Sequence, residues 1–177
     1  MKFNQPKTKL LLVLFIVTTI FSSCSKDDNQ EPDNGLDGIP SGEIVARNLR
    51  NVTLTGFNEL SRNEGSQKWW RHIISDFDYS GCGAEEDDYS FTDFGYYAFY
   101  PDGTMYSKQS IDGTPVYLQE WEWTSPNKTA VYVRGDTSIA FTVTYLNDDN
   151  VVYGSSQSIG GCTLVSYEQL GDPHFVD

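Results

Sequence analysis

Short runs of alternating side chains constrain the fold of this chain more than any other feature of its sequence. Residues 138–145 read SIAFTVTY, so that Ile139, Phe141, Val143 and Tyr145 share one face of an extended segment. A period of two is typical of a β-strand with one wall against a core and the other towards solvent. We therefore predict a strand in which these four side chains point inward.

The run VYLQEWEW at residues 116–123 shows the same alternation. Glu120 and Glu122 lie on one face of it, together with Val116 and Leu118. Because carboxylates are rarely buried, we expect the opposite face to point inward. That inward face carries Tyr117, Gln119, Trp121 and Trp123.

The rest of the chain from residue 69 onward repeats this pattern between tight turns. We expect further strands over residues 69–80, 89–100 (with a bulge at Gly95), 104–111, 129–134, 150–155 and 161–170, and an additional leading strand over 45–57. Turns are indicated by Pro101-Asp102-Gly103, Asp112-Gly113, 125–128 and 147–150. Short links join antiparallel neighbours. The sequence therefore predicts an all-β fold, an antiparallel up-and-down meander of about eight strands that closes into a barrel with space for one small ligand.

The N-terminus has the features of an export signal. Three lysines precede an uncharged apolar run over residues 10–21, and residues 1–23 contain no acidic group. Twelve helical residues span about 18 Å, well short of a hydrocarbon core of about 30 Å. Residues 1–23 are therefore predicted to be a signal peptide rather than a transmembrane helix.

Two short motifs follow this segment. Phe21-Ser22-Ser23-Cys24 resembles the lipobox of bacterial lipoproteins, which implies that Cys24 is the first mature residue and carries lipid such as palmitate. Ser25-Lys26-Asp27-Asp28 resembles the surface-export signal of Bacteroidetes lipoproteins. The resemblance implies an outer-membrane lipoprotein that faces the cell surface, with Lys26, Asp27 and Asp28 as the signal. The alternatives are an ordinary signal peptide that ends near a cysteine and a merely solvated acidic tether.

Composition divides the remainder of the chain into a tether and a domain. Residues 24–42 are acidic, rich in Gly and Pro and almost free of core-forming side chains, so we expect a flexible tether there and a folded domain over 43–177. Removal of residues 1–23 leaves 9 basic and 25 acidic groups, a net charge near −16. A polyanion of this kind repels nucleic acid and anionic lipid headgroups, so no nucleic-acid partner is expected.

Three groups of aromatic and turn residues resemble the lipocalin-like domains of Bacteroidetes lipoproteins. They are Lys68-Trp69-Trp70, Tyr89-Ser90-Phe91 followed by Phe99-Tyr100-Pro101-Asp102-Gly103-Thr104, and Glu120-Trp121-Glu122-Trp123 followed by residues 139–143. The likeness covers roughly residues 68–170 and is one of strand and turn pattern, without an active-site signature. It implies a lipocalin-like barrel.

With Cys24 assigned to lipid, Cys82 and Cys162 remain. In a closed meander the first and last strands are antiparallel neighbours, and these cysteines follow the first strand and begin the last. We therefore predict a disulfide between them, which an oxidising compartment permits. The alternative is a pair of buried free thiols.

Recognisable catalytic and metal-binding patterns are not found in the sequence. The two histidines, His72 and His174, lack metal-site spacing, and no nucleophile elbow or phosphate-binding loop occurs. Asp76 and Asp78 share a strand face and suggest a glycosidase-like pair only weakly. We expect no catalytic residue, no metal and no cofactor.

Aromatic side chains are the remaining candidates for function. Rings offer broad apolar surface with a polar handle on Tyr and Trp, and can line a cavity for a small apolar or carbohydrate ligand. The predicted lining residues are Trp69, Tyr97, Phe99, Tyr117, Trp121, Trp123, Phe141 and Tyr145. The sequence thus indicates a membrane-anchored, non-catalytic binding protein. The alternatives are a structural or protein-interaction module with a filled barrel, its partner protein unknown, and a hydrolase that uses Asp76.

Overall fold

A computed structural model describes residues 36–56, 67–83, 87–124, 126–133 and 139–176. It contains one short helix and nine strands among these residues. They are α1 Arg50–Thr55, β1 Gln67–Ser80, β2 Tyr89–Thr92, β3 Tyr96–Phe99, β4 Thr104–Lys108, β5 Val116–Trp123, β6 Ala130–Val133, β7 Ala140–Leu146, β8 Asn150–Ile159 and β9 Cys162–Val176.

All the strand pairs are antiparallel, and each strand from β3 to β9 pairs with the next along the chain. β1 pairs with β3 on one edge and with β9 on the other, so hydrogen bonds run round a closed ring of eight strands. This ring is called the barrel below. The predicted all-β meander of about eight strands that closes on itself is confirmed.

β2 lies outside the ring, on the edge of β1 that also pairs with β3. β1 meets β3 at Trp70 and Arg71 and meets β2 from Ile74 to Phe77. The single strand predicted over residues 89–100 is therefore divided, and the irregularity lies at Gly95 as expected. Gly95 has a φ of 97°, and a Cβ there would collide with the Lys108 carbonyl, so only glycine fits this link.

The barrel core is apolar and largely aromatic near α1. The buried cluster consists of Leu54, Trp70, Tyr97, Phe99, Met105, Trp121, Val131, Val143, Leu146, Val151, Tyr153 and Leu170. Leu54 comes from α1, and the other members come from all eight ring strands. Side chains rather than a void therefore fill this end of the barrel.

α1 covers that end of the barrel and is held by side chains of β1. The amide of Gln67 donates to the Thr55 carbonyl at 2.9 Å, the ammonium of Lys68 to Thr53 at 3.0 Å, and the indole of Trp70 to Leu54 at 2.8 Å. The last carbonyls of a helix lack intrahelical partners, and these three donors supply them.

The additional strand predicted over residues 45–57 is wrong, because its second half forms α1. The sequence RNVTLT has three β-branched residues and little intrinsic helix preference. Tertiary hydrogen bonds override that preference. The buried guanidinium of Arg50 donates to the carbonyls of Val45 and Asn127 at 3.1 and 2.9 Å, and Gly56 ends the helix with a φ of 72°.

Residues 36–45 pack along the barrel although 36–42 were expected to belong to the tether. Ile39 is buried, the amide of Gly42 donates to Thr144 at 3.0 Å, and Ile44 forms a parallel bridge with Leu146. Ile39 is an isolated apolar residue in a polar stretch, which is why composition alone placed it in the tether.

The disulfide between Cys82 and Cys162 is present, with the two Cα atoms 4.3 Å apart. β1 and β9 pair from Gln67–Val176 to Ser80–Thr163, so each cysteine lies at the end of the same strand pair. The disulfide predicted from the order of the strands is therefore confirmed. In the chain-entropy picture, a loop of this size contributes roughly 4 kcal/mol.

Lys68 generates a prediction about stability and pH. Burial lowers the pKa of its ammonium to about 8, although Asp148 and Asp149 oppose the shift, and its Nζ lies 3.8 Å from the Trp70 ring centroid. Above pH 8 the folded state loses this proton while the unfolded state keeps it, so stability rises with pH. We expect the free energy of unfolding to increase by roughly 2 kcal/mol between about pH 8 and about pH 10 from this residue.

The measurement is urea unfolding followed by tryptophan fluorescence at a series of pH values, for the wild type and for Lys68→Met. The variant keeps an unbranched side chain of similar length and has no ammonium to titrate. The difference in stability between the two proteins should therefore change across this pH window. A constant difference would contradict the prediction.

Candidate functional site

The inward-facing side chains change character at the end of the barrel remote from α1, here called the distal end. The strand register aligns Phe91 of β2 with Ser75 of β1, Ser75 with Glu168 of β9, and Glu168 with Tyr153 of β8. The next row outward contains Tyr89, Phe77, Ser166 and Ser155, and Gln157 follows on β8. We call these nine residues together with His72 the distal cluster.

Glu168 lies at the centre of the polar part of the distal cluster. Its carboxylate accepts hydrogen bonds from the hydroxyls of Ser75, at 3.3 Å, and of Tyr153. Burial and the negative charge of Glu168 raise the pKa of Tyr153 well above its ordinary value, and raise the pKa of Tyr97 to about 12. Both tyrosine hydroxyls therefore stay protonated at neutral pH.

Hydroxyl and amide groups extend this polar part along β8 and β9. The Ser155 and Ser166 side chains are 3.3 Å apart, within hydrogen-bonding distance, and the Gln157 amide donates to Ser155 at 3.5 Å. Both serines are buried, whereas Gln157 is half-buried. Buried hydroxyls need such partners because an unmet hydrogen bond costs free energy.

His72 links the polar part to the barrel core, and its hydrogen bonds determine its tautomer. The amide of Phe94 donates to Nδ1 at 3.1 Å, and Nε2 lies 2.9 Å from the Ser75 hydroxyl. Burial lowers the pKa of the imidazole against the opposing effect of Asp93, so the ring is neutral at pH 7. Since Nδ1 is an acceptor, Nε2 carries the proton and donates to Ser75.

This arrangement differs from a nucleophilic triad although it combines Ser, His and Glu. A triad histidine needs a free lone pair next to the serine hydroxyl in order to take its proton. Here the nitrogen that faces Ser75 is protonated, and Ser75 donates to Glu168. His72 therefore positions Ser75 and does not activate it.

Aromatic rings of β1 and β2 form the other part of the distal cluster. The centroids of Phe77 and Tyr89 are 4.6 Å apart with nearly parallel planes, and Phe91 lies 6.1 Å from Phe77 and 5.8 Å from His72. Tyr89 remains 49% exposed and Phe91 39% exposed. The distal end thus presents rings on β1 and β2 beside hydroxyl, amide and carboxylate groups on the neighbouring strands β9 and β8.

The aromatic residues predicted to line a ligand cavity divide into two sets. Phe99 and Trp121 are buried and meet edge to face at 5.5 Å, and Tyr97 belongs to the same cluster. Trp123 and Phe141 are half-buried and pack against this cluster. These five residues face inward as predicted, and they fill the interior near α1.

The other three predicted lining residues lie outside the cluster. Trp69 is buried with the Lys108 ammonium 4.2 Å from its ring centroid, and its neighbour Trp70 occupies the core instead. Tyr117 is 53% exposed and meets Tyr106 edge to face. Tyr145 packs on Gly42, where a Cβ would lie 2.6 Å from the ring.

Register shifts explain two of these differences. The shift between Met105 and Tyr106 pairs Gln119 with Met105 and Tyr117 with Tyr106, which places Tyr117 and Gln119 on opposite faces. A second shift, at Val143–Tyr145, brings Leu146 into the core in place of Tyr145. Bulges of this kind break the period of two on which the predictions relied.

Sequence reasoning missed the polar residues of the distal cluster. Because the register of β1 against β9 shifts between His72 and Ile74, Ser75 and Phe77 are the residues of β1 that face inward beyond this point. Asp76 and Asp78, considered as a catalytic pair, therefore point away from the cluster. The alternation of Tyr153, Ser155 and Gln157 was the available signal, but polar residues on both faces of this run hid it.

Several predicted features fall outside the described residues. Cys24 and the proposed export signal Lys26, Asp27 and Asp28 are among them. Within the ranges that the structure describes, no group of three or more His, Cys, Asp and Glu side chains forms a potential metal site. No helix in those ranges has the length and hydropathy needed to cross a bilayer.

Comparisons with protein-family models, curated proteins and solved structures return no match for this chain. The resemblance to lipocalin-like domains is therefore supported by the aromatic and turn residues quoted above and stays a prediction.

The tautomer of His72 can be tested directly, because the chain contains only two histidines. In His174→Asn, His72 is the only imidazole, and its ring nitrogens can be assigned by NMR across a pH titration. We expect the proton on Nε2 and a pKa below the ordinary 6.5, because burial disfavours the charged ring. A proton on Nδ1, or a pKa above 6.5, would contradict this geometry.

Proposed function

We propose that this chain is a lipid-anchored, non-catalytic binding protein whose barrel takes a small ligand at the distal cluster. The proposal has two parts, which rest on different evidence. The anchor rests on the order of lysines, apolar run, small residues and Cys24 in the sequence. The binding site rests on the contrast between the two ends of the barrel interior.

That contrast is the observation that carries the binding proposal. Near α1 the interior consists of fully buried side chains such as Trp70, Phe99 and Leu146. At the distal end the same inward face carries the half-exposed rings of Tyr89 and Phe91 together with polar groups. Apolar surface beside a few convergent polar groups is typical of small-molecule sites.

The hydrogen bonds of the cluster favour binding over catalysis. Ser75 is the candidate nucleophile by residue type, but the protonated nitrogen of His72 faces it. Asp76 and Asp78 lie on the opposite face of β1, so the hydrolase alternative loses its acid pair. Fixed side chains without an activated nucleophile suit recognition of a ligand.

Replacement of Cys24 tests the anchor. When the full chain is expressed in a bacterium with a lipoprotein pathway, we expect it to incorporate labelled palmitate and to partition into a detergent phase. Two or three acyl chains make such attachment long-lived, at about 0.8 kcal/mol per buried methylene. Cys24→Ser should abolish both signals, whereas the double variant Cys82→Ser/Cys162→Ser should keep them. Label on Cys24→Ser would contradict the assignment.

A neutral fluorescent probe tests the binding site. In the full chain carrying Cys24→Ser, N-phenylnaphthylamine should gain fluorescence as it enters the distal cluster. Phe91→Ala should weaken its binding at least tenfold, because burial of one aromatic side chain is worth about 1.5–3 kcal/mol. Tyr117→Ala is the matched control, an exposed aromatic residue on the outer face, and should leave the affinity unchanged.

Two outcomes would contradict the binding proposal. Equal loss of affinity in Phe91→Ala and Tyr117→Ala would place the probe elsewhere on the surface. Absence of any probe binding would favour the alternative function, a structural or protein-interaction module whose barrel is filled. The packed core near α1 is the observation that supports that alternative.

A further inference from the structure

We propose that the ligand of the distal cluster is a saccharide, an inference that rests on the binding function proposed above. The exposed rings of the cluster and its amide and carboxylate groups lie on different, neighbouring strands. Rings line β1 and β2, at Phe77, Tyr89 and Phe91, and polar groups line β8 and β9. A ligand that lies across these four neighbouring strands must be apolar on one side and rich in hydroxyls on the other.

The polar side excludes a purely apolar ligand. An acyl chain over the half-buried Gln157 would remove water from its amide without replacing the hydrogen bonds, which costs free energy. A sugar ring has C–H groups on its faces for contact with Tyr89 and Phe91, and hydroxyls around its edge for the polar side. Saccharides therefore match both sides of the cluster.

Ser75 and Tyr153 explain how the carboxylate serves recognition. Their hydroxyls donate to the two different oxygens of Glu168, so its side chain is held between β1 and β8. A carboxylate in a fixed position discriminates among saccharides by the geometry of their hydroxyls, since hydrogen bonds to a charged acceptor are the stronger ones. We assign Glu168 as the specificity-determining residue and Gln157 as its more exposed companion.

The test uses the full chain with Cys24→Ser and a panel of neutral tetrasaccharides of glucose, mannose, galactose, xylose and N-acetylglucosamine. Binding is measured by calorimetry and by displacement of N-phenylnaphthylamine, with lauric acid as the anionic competitor. We expect at least one tetrasaccharide to bind and to displace the probe, and lauric acid to do neither. Gln157→Ala and Tyr89→Ala should each weaken saccharide binding about tenfold, and Tyr117→Ala should not.

The outcomes separate this inference from the function on which it depends. If the probe binds at Phe91 and no tetrasaccharide displaces it, or if lauric acid displaces it better, the saccharide inference is overturned and the binding function stands. If neither probe nor saccharide binds, both fail. Glu168→Gln should weaken saccharide binding more than tenfold. If that variant fails to fold, the two variants Gln157→Ala and Tyr89→Ala still test the saccharide inference.

Discussion

The pairing of β1 with β9 is the interaction on which the rest of the structure depends. It runs from Gln67–Val176 to Ser80–Thr163 and joins the two ends of the meander. Without it the sheet would have two long unpaired edges, which are prone to edge-to-edge association. The same register sets Ser75 opposite Glu168, so closure of the barrel and assembly of the distal cluster are one event.

The architecture was predictable because it follows from features that are local in sequence. Alternating runs and short turns specify an antiparallel meander, and about eight strands of this kind can close. The bridge between Cys82 and Cys162 then follows, because closure makes the first and last strands neighbours. Each step requires only the order of the strands. That order is unchanged when the end of a predicted strand is misplaced by one or two residues.

The faces of the strands were less predictable, because they depend on register. A single bulge exchanges the inner and outer faces of everything beyond it. Bulges in β5 and β7 therefore turned Tyr117 and Tyr145 outward, and nothing in the alternation of those runs marks the extra residue. α1 escaped prediction for a related reason, since its carbonyls are bound by Lys68 and Trp70 of another element.

The candidate site was the least predictable part, because its residues come together only through long-range pairing. Ser75 and Glu168 are 93 positions apart, and neither belongs to a recognisable motif. Glu168 alternates with Leu170 and Ser166 in a run that indicates only a strand. The neighbours of this carboxylate are set by closure of the ring, so the local sequence does not indicate them.

The disulfide adds a mechanical consequence to this design. It fixes the seam between the first and last strands covalently next to the distal end, so that the ring cannot unzip there to admit a bulky molecule. Elsewhere in the ring β3 and β6 have only four residues each, whereas β1 and β9 have 14 and 15. The short strands are therefore the more compliant part of the ring, while Phe77 and Glu168 lie on the two long strands that the disulfide joins.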